Sequence, residues 1–547
     1  MSSITGKHPK GLPFLFLTEM WERFGYYLMI GIFVLYMTDT KSGGLAFDRK
    51  NAADIYGTFI AFVYLTPFIG GMLADRLLGY RRAIVIGGIL MGLGYIGLAL
   101  PGMTAFYASL FLIILGNGFF KPNISTLLGN LYNQPEYKLL KDSGYNIFYM
   151  GINIGAFICN FFATYLRHNF GWGAAFAAAG VGMFIGVFVF WLGWKNYEVA
   201  DVRKASAEDS QGVGRQLSSI LIPALISGII GWMIPGNIFG SDSTDAFLLG
   251  ALPIIYFYIS LLWKAPIVER RPISALLAIY GVVIIFWAVF KQNGTALTTW
   301  AEFYTDREIP AAIEPATAAI NMVQHAEMKL DSFPVYDSQF RTTKVDGKIV
   351  KNLSNDPYFL NIPETERPPT GQGISLISTE LYQSINPFFV IIFTPLVVGF
   401  FAWLRRKGKE PTTPAKIAWG LVISALSTLV MVAACYACHN GIEKASSWWM
   451  VGTYGIVTLG ELCLSPMGLS LVSKLSPMRI TGLMMGGWQL ATSLGNKLSG
   501  ILATLWDDYD NKADFFWLNF GLLTIASITL FLMLRWLNKV FKEQGLT

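Results

Sequence analysis

The chain has 547 residues, 53% of them hydrophobic and only 14% charged, with 40 Phe, 24 Tyr and 16 Trp. A soluble protein carries roughly 25% charged residues, so this composition excludes a soluble enzyme, a disordered hub and a disulfide-stapled secreted domain. The formal net charge of +6 does not point to nucleic acid: the bases collect in short segments between apolar spans, as in a polytopic membrane protein.

Apolar spans of about 20 residues, the length that crosses a hydrocarbon core, are read near 14–38, 53–75, 83–101, 104–129, 143–166 and 172–194. Two more follow near 216–235 and 246–264, and six near 272–300, 376–403, 415–438, 447–472, 480–505 and 515–536, fourteen in all. The lead MSSITGKHPKGLP runs directly into a first span that contains charges, which is the wrong pattern for a cleaved signal peptide. With a cytoplasmic N-terminus, the inside segments carry 24 Lys and Arg and the short outside segments six, so both termini are expected inside. The spans divide as six, two and six. This gives a first bundle over 1–194, a cytoplasmic linker with a two-helix insertion over 195–271, and a second bundle over 272–547. Two six-helix halves around a central cavity are the architecture of many secondary transporters. The inserted pair carries no charge within its spans and reads as a structural hairpin.

Charges within spans cost about 2.5–3.5 kcal/mol each even on a gentle scale, so they face a cavity or a partner. In the first span Glu19, Glu22, Arg23, Tyr26, Tyr27 and Ile30 fall on one helical face. That stripe must turn inward, either as an ion pair locking two helices or as a coupling site. Two acids with one base leave a carboxylate free to bind a proton. In the fourth span Lys121 precedes Pro122, and a buried Lys needs an acid; the carboxylates of the first span are the expected partners, with snorkelling to the interface as the alternative.

Farther on, Trp287, Phe290, Lys291 and Gly294 share a face, and Asn386 stands beside Pro387. Glu461 and Ser465 are at i, i+4, and Trp488 lies at cavity depth, as wall or as lipid-facing packing. Such a cavity suits a zwitterion, its cation toward Glu461 and its carboxylate toward Lys121 or Arg23. The polar segment 304–372, with ten acids, seven bases and seven prolines, reads as an external loop, either poorly ordered or self-packed, or as a lid with a role in access.

Two patterns are decoys. CYACH (Cys435, Cys438, His439) matches a haem-attachment pattern, but it continues an apolar helix, where the cysteines read as small packing residues. The glycine-rich stretches IGGMLAD and IGGILMGLGYIG let helices approach closely and are not phosphate loops.

IGGMLADRLLGYRR (69–82) resembles the loop motif of the major facilitator superfamily. EMWERFGYY (19–27), GFFKPN (118–123) and YNIFYMGINIGAF (145–157) resemble signatures of its proton-dependent oligopeptide transporter family. The resemblance spans nearly the whole chain and implies the major facilitator fold, all-α, with fourteen helices. It implies a carrier, not an enzyme, that brings di- and tripeptides into the cell with protons across the plasma membrane, with no cofactor and no metal. Glu19, Glu22, Arg23 and Lys121 then resemble the coupling residues. Arg23, Tyr27, Tyr64, Lys121, Tyr149, Asn153, Trp287, Asn386, Glu461, Ser465 and Trp488 resemble peptide-pocket residues. A related carrier of a non-peptide solute such as nitrate is the alternative, disfavoured by the intact triplet. Many members carry Arg where this chain has Ile30 and an acid where it has Lys291, which reads as coupled loss of an ion pair between the halves.

Overall fold

The computed structural model describes residues 7–544 except 42, 75–77, 138–139, 202–206, 311, 313, 316–322, 347 and 478–479. Six helices come first: α1 (Leu12–Thr38), α2 (Arg49–Leu73), α3 (Tyr80–Gly97), α4 (Met103–Leu131), α5 (Lys141–Phe170) and α6 (Trp172–Leu192). The pair α7 (Ala207–Met233) and α8 (Asp242–Lys264) follows, then α9 (Ile267–Phe290) and the short α10 (Ala296–Phe303). The remainder is α11 (Ile385–Arg406), α12 (Thr413–Ala437), α13 (Ser447–Leu475), α14 (Thr481–Thr504) and α15 (Lys512–Glu543).

Among the described residues, nine helices are long and apolar enough to cross a membrane. The other expected spans fall on α1, α3, α7, α13 and α14, which are helical but outside that set. In α1 the reason is chemical, because Glu19, Glu22 and Arg23 dilute its apolar content. Arg76, Lys138, Arg203, Lys204 and Arg479 of the inside basic set, with Asp75 and Leu77 of the 69–82 motif, lie outside the described residues.

Local chemistry sets the helix starts. The Asp48 carboxylate accepts the Asn51 amide at 2.9 Å to open α2, and the Ser241 hydroxyl accepts the Thr244 amide at 3.2 Å to open α8. Pro122 lies inside α4 and supplies no N–H. Against the carbonyl of Gly118, four residues back, packs Gly70 of α2, where any Cβ would stand 2.0 Å from that oxygen. This approach brings Tyr64 on α2 beside Lys121 on α4. One core cluster joins α1 to α6, a second joins α9 and α12 to α15, and a third fills the end that carries the long loop. Cys435 and Cys438 are buried in that third cluster.

The segment after α10 is folded rather than loose. β1 (Thr305–Asp306) will pair with a distant strand; β2 (Val323–Glu327), β3 (Asp331–Pro334), β4 (Lys344–Val345), β5 (Lys348–Ile349), β6 (Lys351–Ser354) and β7 (Gly373–Ile377) follow. β2 pairs antiparallel with β7, β3 with β6 and β4 with β5. β1 runs parallel to β8 (Ala445–Ser446), between α12 and α13. Ala326, Tyr358, Phe359 and Leu376 form its small core. This lid covers a cavity of about 570 Å³ above α1, α5 and α10, lined among others by Arg49, Arg167, Glu302, Arg307 and Tyr336.

At the lid end the early and late helices are tied together. Arg49 meets Asp507 at 3.2 Å, Arg167 meets Glu380 at 2.8 Å, and Asn160 donates to the Ser384 hydroxyl at 3.0 Å. The Gln383 amide donates to the Gly31 carbonyl at 3.2 Å. The bundle is closed at that end.

Candidate functional site

The α1 stripe is buried as its period requires: Glu19 is 3% exposed, Glu22 0% and Arg23 2%. Arg23 donates through two nitrogens to both oxygens of Glu22, a bidentate pair. Its Nε lies 3.6 Å from Glu19 Oε1, and its guanidinium carbon 4.9 and 5.9 Å from the ring centres of Tyr26 and Tyr27. Glu19 Oε2 has no hydrogen-bond partner among the described residues. One cation therefore satisfies one carboxylate fully and the other partly, the imbalance read from the sequence.

Lys121 departs from expectation. Its ammonium forms no ion pair with Glu19 or Glu22 among the described residues and lies instead 4.2 Å from the centre of the Tyr64 ring. Two causes combine: Arg23 already occupies both oxygens of Glu22, and the close packing of α2 on α4 offers a π face. Lys291, from the later helices, reaches the same ring at 5.6 Å and lies 5.7 Å from the Trp287 ring. Ile30 is buried and apolar, so the Ile30 and Lys291 positions carry no opposite charges.

On the later helices Asn386, at the start of α11, donates to Glu461 Oε2 at 3.0 Å and to the Thr458 hydroxyl at 2.8 Å. Thr458 donates its own hydroxyl to the Tyr454 carbonyl at 2.6 Å. Sequence reading missed Thr458, although its i, i+3 spacing to Glu461 places both on one face. Ser465 Oγ and Trp287 Nε1 are buried and have no hydrogen-bond partner among the described residues. Polar atoms so placed line a site that a ligand or water can complete.

Tyr149 on α5 is 36% exposed. Asn153, one turn on, donates to the Tyr149 carbonyl at 2.9 Å. Lys291 of the later helices stands 5.6 Å from the Tyr64 ring of the early ones, so the two sets of helices face one another there. Trp488 is set apart. It is 4% exposed, edge-on to Tyr280 at 6.2 Å, and fills the space beside Gly468 in the later helices' core. Of its two sequence readings, cavity wall and lipid-facing packing, neither fits: it packs inside the core.

The arrangement offers cations and phenols from the early helices, and from the later ones a carboxylate held by an amide that is itself anchored on a hydroxyl. That is a receptor for a small molecule with charged ends, next to a carboxylate pair that shares one cation.

Comparison with known proteins agrees. The model of the POT family matches residues 81–324 and 371–518, and the gap between them falls within the lid. A Bacillus subtilis protein described as the uncharacterized transporter YclF is 32% identical, covering 98% of this chain and 95% of its own. A di-/tripeptide transporter of Lactococcus lactis subsp. lactis is 31% identical over 91% and 89%. Among solved structures, a peptide transporter POT in complex with alafosfalin aligns with a TM-score of 0.71 at 29% identity, over 97% and 96% of the two chains. A POT family transporter with 5-aminolevulinic acid aligns at 0.74 and 25% identity, over 97% of each.

Proposed function

Since the chain belongs to the POT family, a family of multi-pass membrane transporters, we propose that it carries di- and tripeptides by alternating access, driven by protons. The observation that carries this reading is a pair of facing sites: the unequal Glu19–Glu22–Arg23 triplet on the early helices and Glu461 held by Asn386 on the later ones, with Lys291 of the later helices 5.6 Å from the Tyr64 ring of the early ones. Relatives named for a cargo are named for peptides, so the nitrate alternative is not carried forward.

Glu461 takes the peptide's amino terminus, steadied by Asn386 and Thr458, and Ser465 lies one turn below. Arg23 and Lys121 take its carboxylate, with Tyr27, Tyr64, Tyr149, Asn153 and Trp287 as walls; Trp488 supports this pocket from the core behind it. A carboxylate of the triplet accepts a proton, which loosens its hold on Arg23 and frees that cation for the peptide carboxylate. The halves 1–194 and 272–547 then rock about the site, with 195–271 as the joint between them. In the plasma membrane with both termini cytoplasmic, the lid end is external, and its closure shuts the site off from that side.

The test is uptake of a labelled dipeptide into proteoliposomes with and without an inward proton gradient. Concentrative uptake, abolished by a protonophore and competed by tripeptides, is expected. Peptide entry that only equilibrates would refute proton coupling, and no peptide entry would refute the cargo.

A further inference from the structure

Lys291 is a cation that the cycle above does not use. It is half-buried and caps the C-terminal end of α9, the end of a helix that favours positive charge. Its ammonium lies 5.6, 5.7 and 5.9 Å from the ring centres of Tyr64, Trp287 and Phe290. These distances are near the outer limit of about 6 Å for a cation–π contact, so three rings flank the charge without cancelling it. The carboxylates of the site are engaged elsewhere: Arg23 holds Glu22 and reaches Glu19, and Asn386 holds Glu461. Lys291 forms no ion pair with any of them among the described residues. Beside it the Trp287 indole N–H is also without a partner. Buried charge is answered elsewhere on these helices, where Asp54 on α2 meets Lys497 on α14 at 2.6 Å.

The charges of the two facing sites are three cations, Arg23, Lys121 and Lys291, and three carboxylates, Glu19, Glu22 and Glu461. They balance while every carboxylate is ionised. A proton taken by the triplet removes one negative charge and leaves one cation over. A dipeptide with uncharged side chains is a zwitterion and adds nothing to the balance. Its amino terminus occupies Glu461 and its carboxylate occupies Arg23 and Lys121, so the cation left over is Lys291. An uncompensated charge within membrane-spanning helices is costly, and a second carboxylate on the cargo removes that cost. Lys121 and Lys291 stand 4.2 and 5.6 Å from the centre of one ring, that of Tyr64. Two ammoniums so close repel one another, and a small molecule bearing two carboxylates answers both.

We propose that Lys291 is a specificity residue for acidic peptides, taking the side-chain carboxylate of an Asp or Glu whose terminal carboxylate is held by Lys121 and Arg23. The contact is a charge-assisted hydrogen bond from the Lys291 ammonium. This inference rests on the peptide reading and narrows it: the favoured cargo is a dipeptide ending in an acidic residue.

The test is equilibrium binding of labelled Ala-Ala, Ala-Gln and Ala-Glu to the full chain in lipid nanodiscs at neutral pH. Ala-Gln matches Ala-Glu in size, so the ratio of their Kd values reads the side-chain charge. The wild type is expected to hold Ala-Glu about tenfold tighter than Ala-Gln, the scale of a hydrogen bond between charged groups. Lys291→Arg should keep that preference, and Lys291→Gln should bring the two peptides level. Lys291→Glu should reverse it, with Ala-Lys held tighter than Ala-Gln. Equal binding of Ala-Glu and Ala-Gln by the wild type, or an acidic preference that survives in Lys291→Gln, would overturn the proposal. Ala-Ala bound without any acidic preference would remove Lys291 from specificity and leave the peptide reading standing. Binding of none of the peptides would refute the peptide reading and this inference with it.

Discussion

The Lys121 ammonium lies 4.2 Å from the centre of the Tyr64 ring, while both oxygens of Glu22 are taken by Arg23. The lysine is thereby held ready without being neutralised by a carboxylate, and the ring is also within 5.6 Å of Lys291. Tyr64 thus joins cations from the two sets of helices.

Replacing Lys121 by Ala should cripple coupled peptide uptake, measured as initial rate in proteoliposomes under a proton gradient. Tyr64→Phe keeps the π face and should keep uptake within a few-fold, while Tyr64→Ala should lose about tenfold in peptide affinity, within the ~0.5–2 kcal/mol of a cation–π contact. Equal losses in the two Tyr64 variants would show that the hydroxyl, not the ring, holds Lys121.

Glu22→Gln removes one charge from the shared cation. Accumulation driven by the gradient should disappear, while exchange of labelled for unlabelled peptide continues. Unaltered accumulation would remove Glu22 from coupling.

Asn386 positions Glu461, and Thr458 positions Asn386. Glu461→Ala should impair peptides with a free amino terminus far more than N-acetylated ones in a competition assay. Thr458→Val, which leaves Glu461 charged, should raise KM several-fold, roughly the ~1 kcal/mol of one hydrogen bond, with maximal rate little changed.

At the end opposite the lid, the Arg405 side chain bonded to Glu410, with Lys416 at 2.6 Å, holds the Glu410 carboxyl down at about 2. A depressed carboxylate stabilises the fold above its unfolded value of 4.5 and loses that contribution as pH falls toward about 2. Glu410→Gln should therefore melt lower than the wild type at neutral pH, by the modest amount of a largely solvent-facing pair, about 1 kcal/mol or less. The gap should close as the pH of a thermal-shift assay is brought down below 4.5.

What could be read from the sequence was what lies within one helix. The α1 stripe, the surplus acid in it, and Glu461 with Ser465 all follow from 3.6-residue periodicity. What could not be read was choice of partner across helices. Lys121 was matched to carboxylates by charge alone, and only the packing of Gly70 on Gly118 shows why a phenol ring stands nearer. Asp54 and Lys497 are 443 residues apart, each resembling an isolated charge. The strand pairing of the lid escaped because its strands are short and Val323 finds Ile377 across the whole segment, leaving no local period to detect. Trp488 carried no signal to separate wall from core.

The lid belongs by chain to the later helices but is fastened to the early ones by charge: Lys41 to Asp331 at 2.6 Å and Lys344 to Asp48 at 2.8 Å, with Lys351 donating to the Thr40 carbonyl at 2.5 Å. Most of these side chains face solvent, where the reach of a charge shrinks to roughly 10 Å at 0.1 M salt and less above it. Each opening at that end must release these ties. The salinity of the medium bathing the lid thus becomes a brake on turnover, tight in dilute surroundings and slack in brine, even though none of these residues lies near the central cavity.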